Sequence, residues 1–311
     1  MDTEKLKNFL LVRTDNIGDV ILSVPVSREI KRKFPDAEIT LLCREHTKIL
    51  GERYPYIDKV ISIENDNGEE LSIGKITGII KNEGFDCGIL IHPTFKLARL
   101  LVSCRIPVRV GTGYRFYSLL LNRRHHEHRK ESIKHESEYN LGLLRAINIE
   151  SGIPELHFEI TEEEMQTADK ELNEAGIESG RKFCVFHPGS RGSAMDWSLE
   201  SFAGTADLLI EKHDIEVLIT WGKGEDDIPG KLKKAANKDL RSLEKVLPLP
   251  VLAGILKKAE FTLAPSTGIL HLANAVGGKV VGLYPPVPHM SPVRWGPYGQ
   301  ISSALVPDTG Q

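Results

Sequence analysis

Short apolar runs alternate with longer amphipathic stretches along most of this chain, the pattern of strands and helices in turn. NFLLVR (8–13), EITLLC (38–43), DKVISI (58–63), FDCGILIH (85–92) and RIPVRVG (105–111) have the character of short buried strands. Helices are expected over 26–34, ending before Pro35, over about 70–82, and over 134–149. Pro25 suits the start of a helix better than its interior. SGIPELHFEITEEE (151–164), with its Gly, Pro and acidic cluster, has the composition of a linker. The pattern then restarts, with a helix over about 162–175 and strands at 183–187, 215–220, 260–264 and 279–284. Such alternation predicts an α/β protein with parallel sheets covered by helices. We expect two domains, 1–155 and 156–311, with ligands collecting in the cleft between them.

The turns after three of these strands carry the candidate chemistry. EFTLAPSTGILHLANAVGGKVVGLY (260–284) predicts strand, polar turn, short helix, Gly-Gly turn and strand. A helix start offers unpaired N–H groups and partial positive charge, a combination that holds phosphate. Ser266 and Thr267 add hydroxyls, Gly268 permits close approach, and His271 lies one turn further along. An ordinary capped helix is the plainer alternative. FCVFHPGSRGSAMDWS (183–198) has the same plan, running into a helix over about Leu199 to His213 with Ser198 as N-cap and Glu200 in the first turn. Its loop carries Ser190, Arg191 and Ser193, and arginine grips phosphate oxygens in bidentate fashion. Two such turns favour a ligand bearing a diphosphate. In the first half, RTDNIGDVILSVP (13–25) is the counterpart turn. Asp19 falls where the next helix begins, and local rules make it an N-cap more readily than a general base.

Composition changes the picture in two places. The chain of 311 residues is 41% hydrophobic and 27% charged, ordinary for a soluble protein. No apolar run approaches the roughly 20 residues that span a bilayer, and MDTEKLKNFLLVR is too charged for a signal peptide. Cys43, Cys87, Cys104 and Cys184 are scattered without a CxxC pair, which argues against a disulfide framework or zinc site and fits a reducing cytoplasm. The net charge of −3 conceals a basic stretch. Residues 96–135 hold ten Lys and Arg against Glu127 and Glu131, with Tyr114, Phe116, Tyr117 and Leu119 to Leu121 interleaved. An anionic partner is the functional reading, and a solvated face the plain one.

RTDNIGDVILSVPVSREIKRKFPDAEITLL, HPGSRGSAMDWSLESFAGTADLL, STGILHLANAVGGKVVGLYPP and RWGPYG resemble, in order, the motifs of glycosyltransferase family 9, the heptosyltransferases of lipopolysaccharide core synthesis. The resemblance covers almost the whole chain. It implies a GT-B architecture, two Rossmann-like domains facing across a cleft, with the acceptor on the N-terminal domain and the nucleotide on the C-terminal one. It also implies inverting transfer of a sugar, first of all heptose from ADP-heptose, to a lipopolysaccharide core or other lipid-linked acceptor. Asp19 matches the acidic residue of the family's IGD motif and becomes the expected base. Ser190, Arg191 and Ser193 match donor phosphate contacts, as do Ser266, Thr267, Gly268 and His271. Glu225, after WGKG, resembles an acidic residue that holds the donor ribose.

Met195 stands where heptosyltransferases often have Lys, and Ser266 where they often have Asp, so an altered donor site is expected. The chain ends at LVPDTGQ where relatives commonly continue, as a fragment or short form would. Asp226 and Asp227 are adjacent and read as helical, so no DxD-like metal turn is recognised. No cofactor, obligatory metal or nucleic-acid partner is expected. The expected location is the cytoplasm, with peripheral contact at the inner face of the inner membrane. A nucleotide-sugar 2-epimerase and a non-catalytic nucleotide-sugar binding protein are the competing readings.

Overall fold

A computed structural model describes residues 6–65, 67–190, 192, 197–300 and 303–307. It divides into two compact units, Met1–Leu156 and His157–Gln311. In the first unit the strands are β1 (Asn8–Val12), β2 (Glu38–Cys43), β3 (Lys59–Ser62), β4 (Cys87–Leu90), β5 (Val108–Thr112) and β6 (Arg123–His125). All pairings are parallel and the order is β3-β2-β1-β4-β5-β6. Helices cover both faces of such a sheet, so its central strands are apolar throughout: Phe9 to Val12 of β1 and Cys87 to Leu90 of β4 are fully buried.

The second unit repeats the plan. Its strands are β7 (Phe183–Phe186), β8 (Glu216–Ile219), β9 (Arg241–Ser242), β10 (Thr262–Pro265), β11 (Val280–Leu283) and β12 (Ala304–Leu305), in the order β12-β11-β10-β7-β8-β9, again parallel. Read from its far edge, this is the arrangement of the first unit. Each sheet therefore has a switch point, between β1 and β4 and between β7 and β10, where strand order reverses and a crevice opens beyond the strand ends.

Several expectations change in detail. Pro25 does open the helix Pro25–Lys33. The stretch 134–149 is α-helical only over Glu136–Gly142 and tightens to a 3-10 helix over Leu143–Ile147. The strand expected from 105 begins at Val108, because Arg105 has a left-handed backbone (φ 57°) and turns the chain after an unforeseen helix, Phe95–Ser103. Asp226 and Asp227 are not helical. Their turn precedes the helix Ile228–Ala235, whose first turn contains Pro229. The four cysteines are buried and unpaired.

The turn from the helix Gly268–Ala275 into β11 leaves no room for a side chain. A Cβ on Gly278 would lie 2.9 Å from the Leu256 carbonyl oxygen and 3.0 Å from that of Ala273. Backbone cannot yield as a flexible side chain does, so Gly278→Ala is expected to cost about 1–3 kcal/mol, read as a lower thermal unfolding midpoint.

Candidate active site and nucleotide site

The first switch point is built around a buried cation. The β1–β4 register pairs Val12 with Leu90, and the His92 N–H donates to the Val12 carbonyl at 3.0 Å. Arg13, Thr14 and Asp15 thus leave β1 beside His92. The Thr14 hydroxyl lies 3.1 Å from His92 Nδ1. Arg13 is only 4% exposed. Its Nε lies 2.7 Å from Asp15 Oδ1, its Nη2 donates to Asp19 Oδ1, and its Nη1 lies 3.9 Å from Glu136 Oε1. Burial opposes the charge, but Asp19, Asp15 and Glu136 outweigh burial and hold the guanidinium protonated.

Asp19 is not the N-cap of its helix. That position belongs to Asn16, and Asp19 lies in the first turn of the helix Ile17–Ile21. A carboxylate there is favoured by the helix dipole, and the arginine fixes its direction. Asp15, which sequence reasoning passed over, is pushed up to about 6 by burial, with Asp19 adding to the shift and Arg13 opposing it. His92 is pushed below its ordinary value by burial and by Arg13, so it is neutral near pH 7.

Glu136, itself buried, accepts from Arg129 Nη1 at 2.6 Å. Arg129 also donates to Asn140 Oδ1, and Asn140 holds the Leu22 carbonyl and Ser23 hydroxyl, each at 3.1 Å. Arg129 lines a cavity of about 320 Å³ together with Tyr114, Arg115, His128 and Lys130. Tyr114 stacks on His128 with ring centroids 4.2 Å apart. The base candidate and this cationic, aromatic cavity are therefore joined by an alternating row of charges: Asp19, Arg13, Glu136, Arg129.

Not all of the basic stretch is available to a ligand. Arg109 donates to the Ile106 and Leu120 carbonyls, Lys96 pairs with Glu70, and Lys134 with Glu127. Arg99, Arg105, Arg115, Arg124 and Lys130 are exposed. Beside them Phe116 is 79% and Leu119 81% exposed, and Phe95 stacks on Phe116.

The second switch point gathers a buried histidine, hydroxyls and one carboxylate. His187 follows β7, with its N–H donating to Leu263 of β10 at 3.0 Å. It is buried, pushed down to about 4 by that burial, and lies 2.9 Å from the Thr220 hydroxyl. Ser190 lies just beyond, also buried. Glu225, in the turn after β8, accepts from the Gly222 N–H at 2.9 Å. A Cβ on Gly189 would meet the Glu225 carboxylate at 2.3 Å, so these two turns adjoin and a side chain there would push that carboxylate aside. After β10, Ser266 bonds the Tyr284 hydroxyl. Thr267 caps the helix Gly268–Ala275 through its backbone, and its own buried hydroxyl has no hydrogen-bond partner among the described residues. His271 is buried in the next turn. The structure thus brings Ser190 and Glu225 together through adjoining turns, and sets Ser266, Thr267, Gly268 and His271 on the neighbouring strand-to-helix turn. Arg191, Ser193 and Met195 lie outside the described residues. Among the described residues no group of three or more His, Cys, Asp or Glu is placed to hold a metal ion, and no helix is long and apolar enough to cross a membrane.

Two Rossmann-like α/β units, each with candidate ligand groups at its switch point, are the components of a GT-B fold. The sequence profile of Glycosyltransferase family 9 (heptosyltransferase) matches residues 73–309, and the chain belongs to that family. A Haemophilus influenzae protein provisionally named a glycosyltransferase is 29% identical over 98% of this chain and 91% of its own length. Lipopolysaccharide heptosyltransferase 3 of Escherichia coli is 24% identical over 90% of this chain and 82% of its own. The structure of E. coli ADP-heptose lipopolysaccharide heptosyltransferase II superposes with a TM-score of 0.77, at 21% identity, over 97% of this chain and 90% of the other.

Asp15 gives a signed prediction. A folded-state value near 6 against the ordinary 3.8 means that the protonated form favours the fold. That stabilisation is complete below about 3.8 and lost as pH rises through about 6. Asp15→Asn, neutral throughout, is therefore expected to be more stable than wild type at pH 7.5 by roughly 1–2 kcal/mol, and the gap should narrow towards pH 4. Thermal unfolding across that range checks both the sign and the trend.

Proposed function

We propose that this chain is an inverting glycosyltransferase that moves a sugar, with heptose from ADP-heptose the first candidate, onto an anionic, lipid-linked saccharide of the lipopolysaccharide core kind. The observation that carries the reading is the Asp19 carboxylate, held by a buried arginine at the switch point of the first sheet. In this reading Asp19 takes the proton of the acceptor hydroxyl. The acceptor oxygen bonds to the anomeric carbon from the face opposite the leaving group. The anomeric carbon–oxygen bond to the diphosphate breaks, and the nucleoside diphosphate departs with the electron pair. The N-terminal end of Gly268–Ala275, the Thr267 hydroxyl, and Ser190, Arg191 and Ser193 stabilise the departing charge without an obligatory metal. Glu225 holds the donor ribose, and His271 adds a donor-side contact.

The heptose assignment draws on the family and on the printed names of the E. coli relatives. Met195 and Ser266, in place of Lys and Asp, make the donor the part of the reading to test first. Transfer is to be measured with a panel of sugar nucleotides. With the donor so found, Asp19→Asn is expected to lower turnover about 100-fold or more while donor binding is kept. Near-normal turnover removes Asp19 from the base role.

Arg115 and Lys130 of this cavity, which Glu127 also lines, suit acceptor phosphates, and Tyr114 and His128 offer rings to a sugar face. The neighbouring exposed Phe116 and Leu119, among exposed arginines, suit a peripheral stay at the cytoplasmic face of an anionic membrane. Binding to vesicles of phosphatidylglycerol and phosphatidylcholine is expected at low salt. It should weaken as salt rises, since exposed charges are screened within about 10 Å at 0.1 M. No binding at low salt would return this face to plain solvation.

A further inference from the structure

One feature of the first switch point exceeds what a fixed carboxylate needs. Arg13 faces three carboxylates, two of them from the turn that carries the base. Its Nη2 hydrogen-bonds Asp19, whereas its Nε meets Asp15 Oδ1 at 2.7 Å as a charge contact without hydrogen-bond alignment. A guanidinium given wholly to Asp19 would hold that carboxylate in its charged form and oppose its taking a proton. We propose that Asp15 is a positioning residue for proton transfer: by sharing the buried Arg13 it limits the guanidinium's hold on Asp19, and so leaves Asp19 able to accept the proton of the acceptor hydroxyl.

This rests on the reading of Asp19 as base. The surroundings make Asp15 the controlling group. On the β1 side stand Arg13 and Thr14, and on the β4 side His92, neutral through burial and its nearness to Arg13. From beyond β2, Arg44 donates to the Thr14 carbonyl at 2.9 Å and lies 3.8 Å from Glu64. From the helix Glu136–Gly142 comes Glu136, with Arg129 on its far side. The arginines keep their charge at all working pH values. Asp15, with its value near 6, changes charge just below neutrality. Above that point its negative charge competes for Arg13. Below it Arg13 turns to Asp19 and Glu136, and the base is blunted. The charged form of the group costs the fold part of its stability at pH 7.

The test compares wild type, Asp15→Asn and Asp15→Glu. Transfer rate is followed from pH 5 to 8.5, donor affinity is measured separately, and carboxyl carbons are titrated by NMR without substrates. Wild type is expected to show an acid limb near pH 6. Asp15→Asn should lose or lower that limb and drop about 10-fold at pH 7.5, the worth of one unit of basicity, with donor affinity unchanged. Asp15→Glu should recover most of the rate. An unaltered limb in Asp15→Asn overturns the proposal. So does a loss of rate with no change of pH profile, since a structural defect would do the same. If wild type transfers no sugar, the function reading fails on its own. The NMR titration then decides the coupling: a step near pH 6, absent in Asp15→Asn and accompanied by a shift of a second carboxyl, supports it, and no such step sinks it.

Discussion

The charge on Arg13 is the constraint on which the first unit depends. Moving a guanidinium from water into the interior costs several kcal/mol unless partners compensate. At 4% exposure Arg13 has almost no water to fall back on. Its partners come from separate places: Asp15 from the turn, Asp19 from the helix Ile17–Ile21, and Glu136 from a helix more than a hundred residues later. Together they allow the cation to be tolerated, so one charge ties the first turn of the sheet to the last helix of the unit. Glu136 passes the constraint on to Arg129, and Asn140 carries it back to the end of the helix that holds Asp19. The arrangement holds more carboxylates than the arginine needs. Burial, with the nearby Asp19 charge adding to it, raises Asp15 towards neutrality, at a cost to folding near pH 7.

The two units share a topology and oppose each other in electrostatics. At the first switch point an excess of carboxylates surrounds a cation, which suits taking a proton from a hydroxyl. At the second, the buried groups are a neutral histidine, hydroxyls and the start of a helix. Neutral donors and backbone N–H groups suit an anion that gains charge as a bond breaks, because they are fixed before the charge arrives. The same strand order thus carries two sites of opposite character, and the difference lies in the few residues that leave β1, β7 and β10.

Much of the fold is legible because parallel strands covered on both faces must be apolar along their length. NFLLV, CGIL and FCVF could hardly be elsewhere. The three polar residues of β6 carry no such signal, and neither does the basic, apolar mixture of FKLARLLVS, whose Lys96 and Arg99 lie on the outer face of a helix. The candidate site is legible in part for a related reason. Turn chemistry marks Asp19, Ser266 and Thr267 locally. Their partners are distant in sequence, and local rules gave Asp19 the capping role that Asn16 fills. Nothing in the turn announces that Glu136 will stand 3.9 Å from Arg13, or that the Glu225 carboxylate will lie against Gly189.

The basic stretch shows how a charge count and a charged surface differ. Several of its ten cations are spent within the fold: Arg109 on two carbonyls and Arg123 on one, and Lys96, Arg129 and Lys134 on acids, two of which lie outside the counted window. What remains exposed is a smaller set of arginines and Lys130. Electrostatics alone would be satisfied by water around that set. It does not account for Phe116 and Leu119, which leave most of their apolar surface in solvent beside them. Burying such side chains stabilises by roughly 1.5–3 kcal/mol each, so leaving two exposed forgoes that gain. A partner that is anionic and apolar at once recovers that gain and meets the cations, whereas a purely ionic partner meets only the cations.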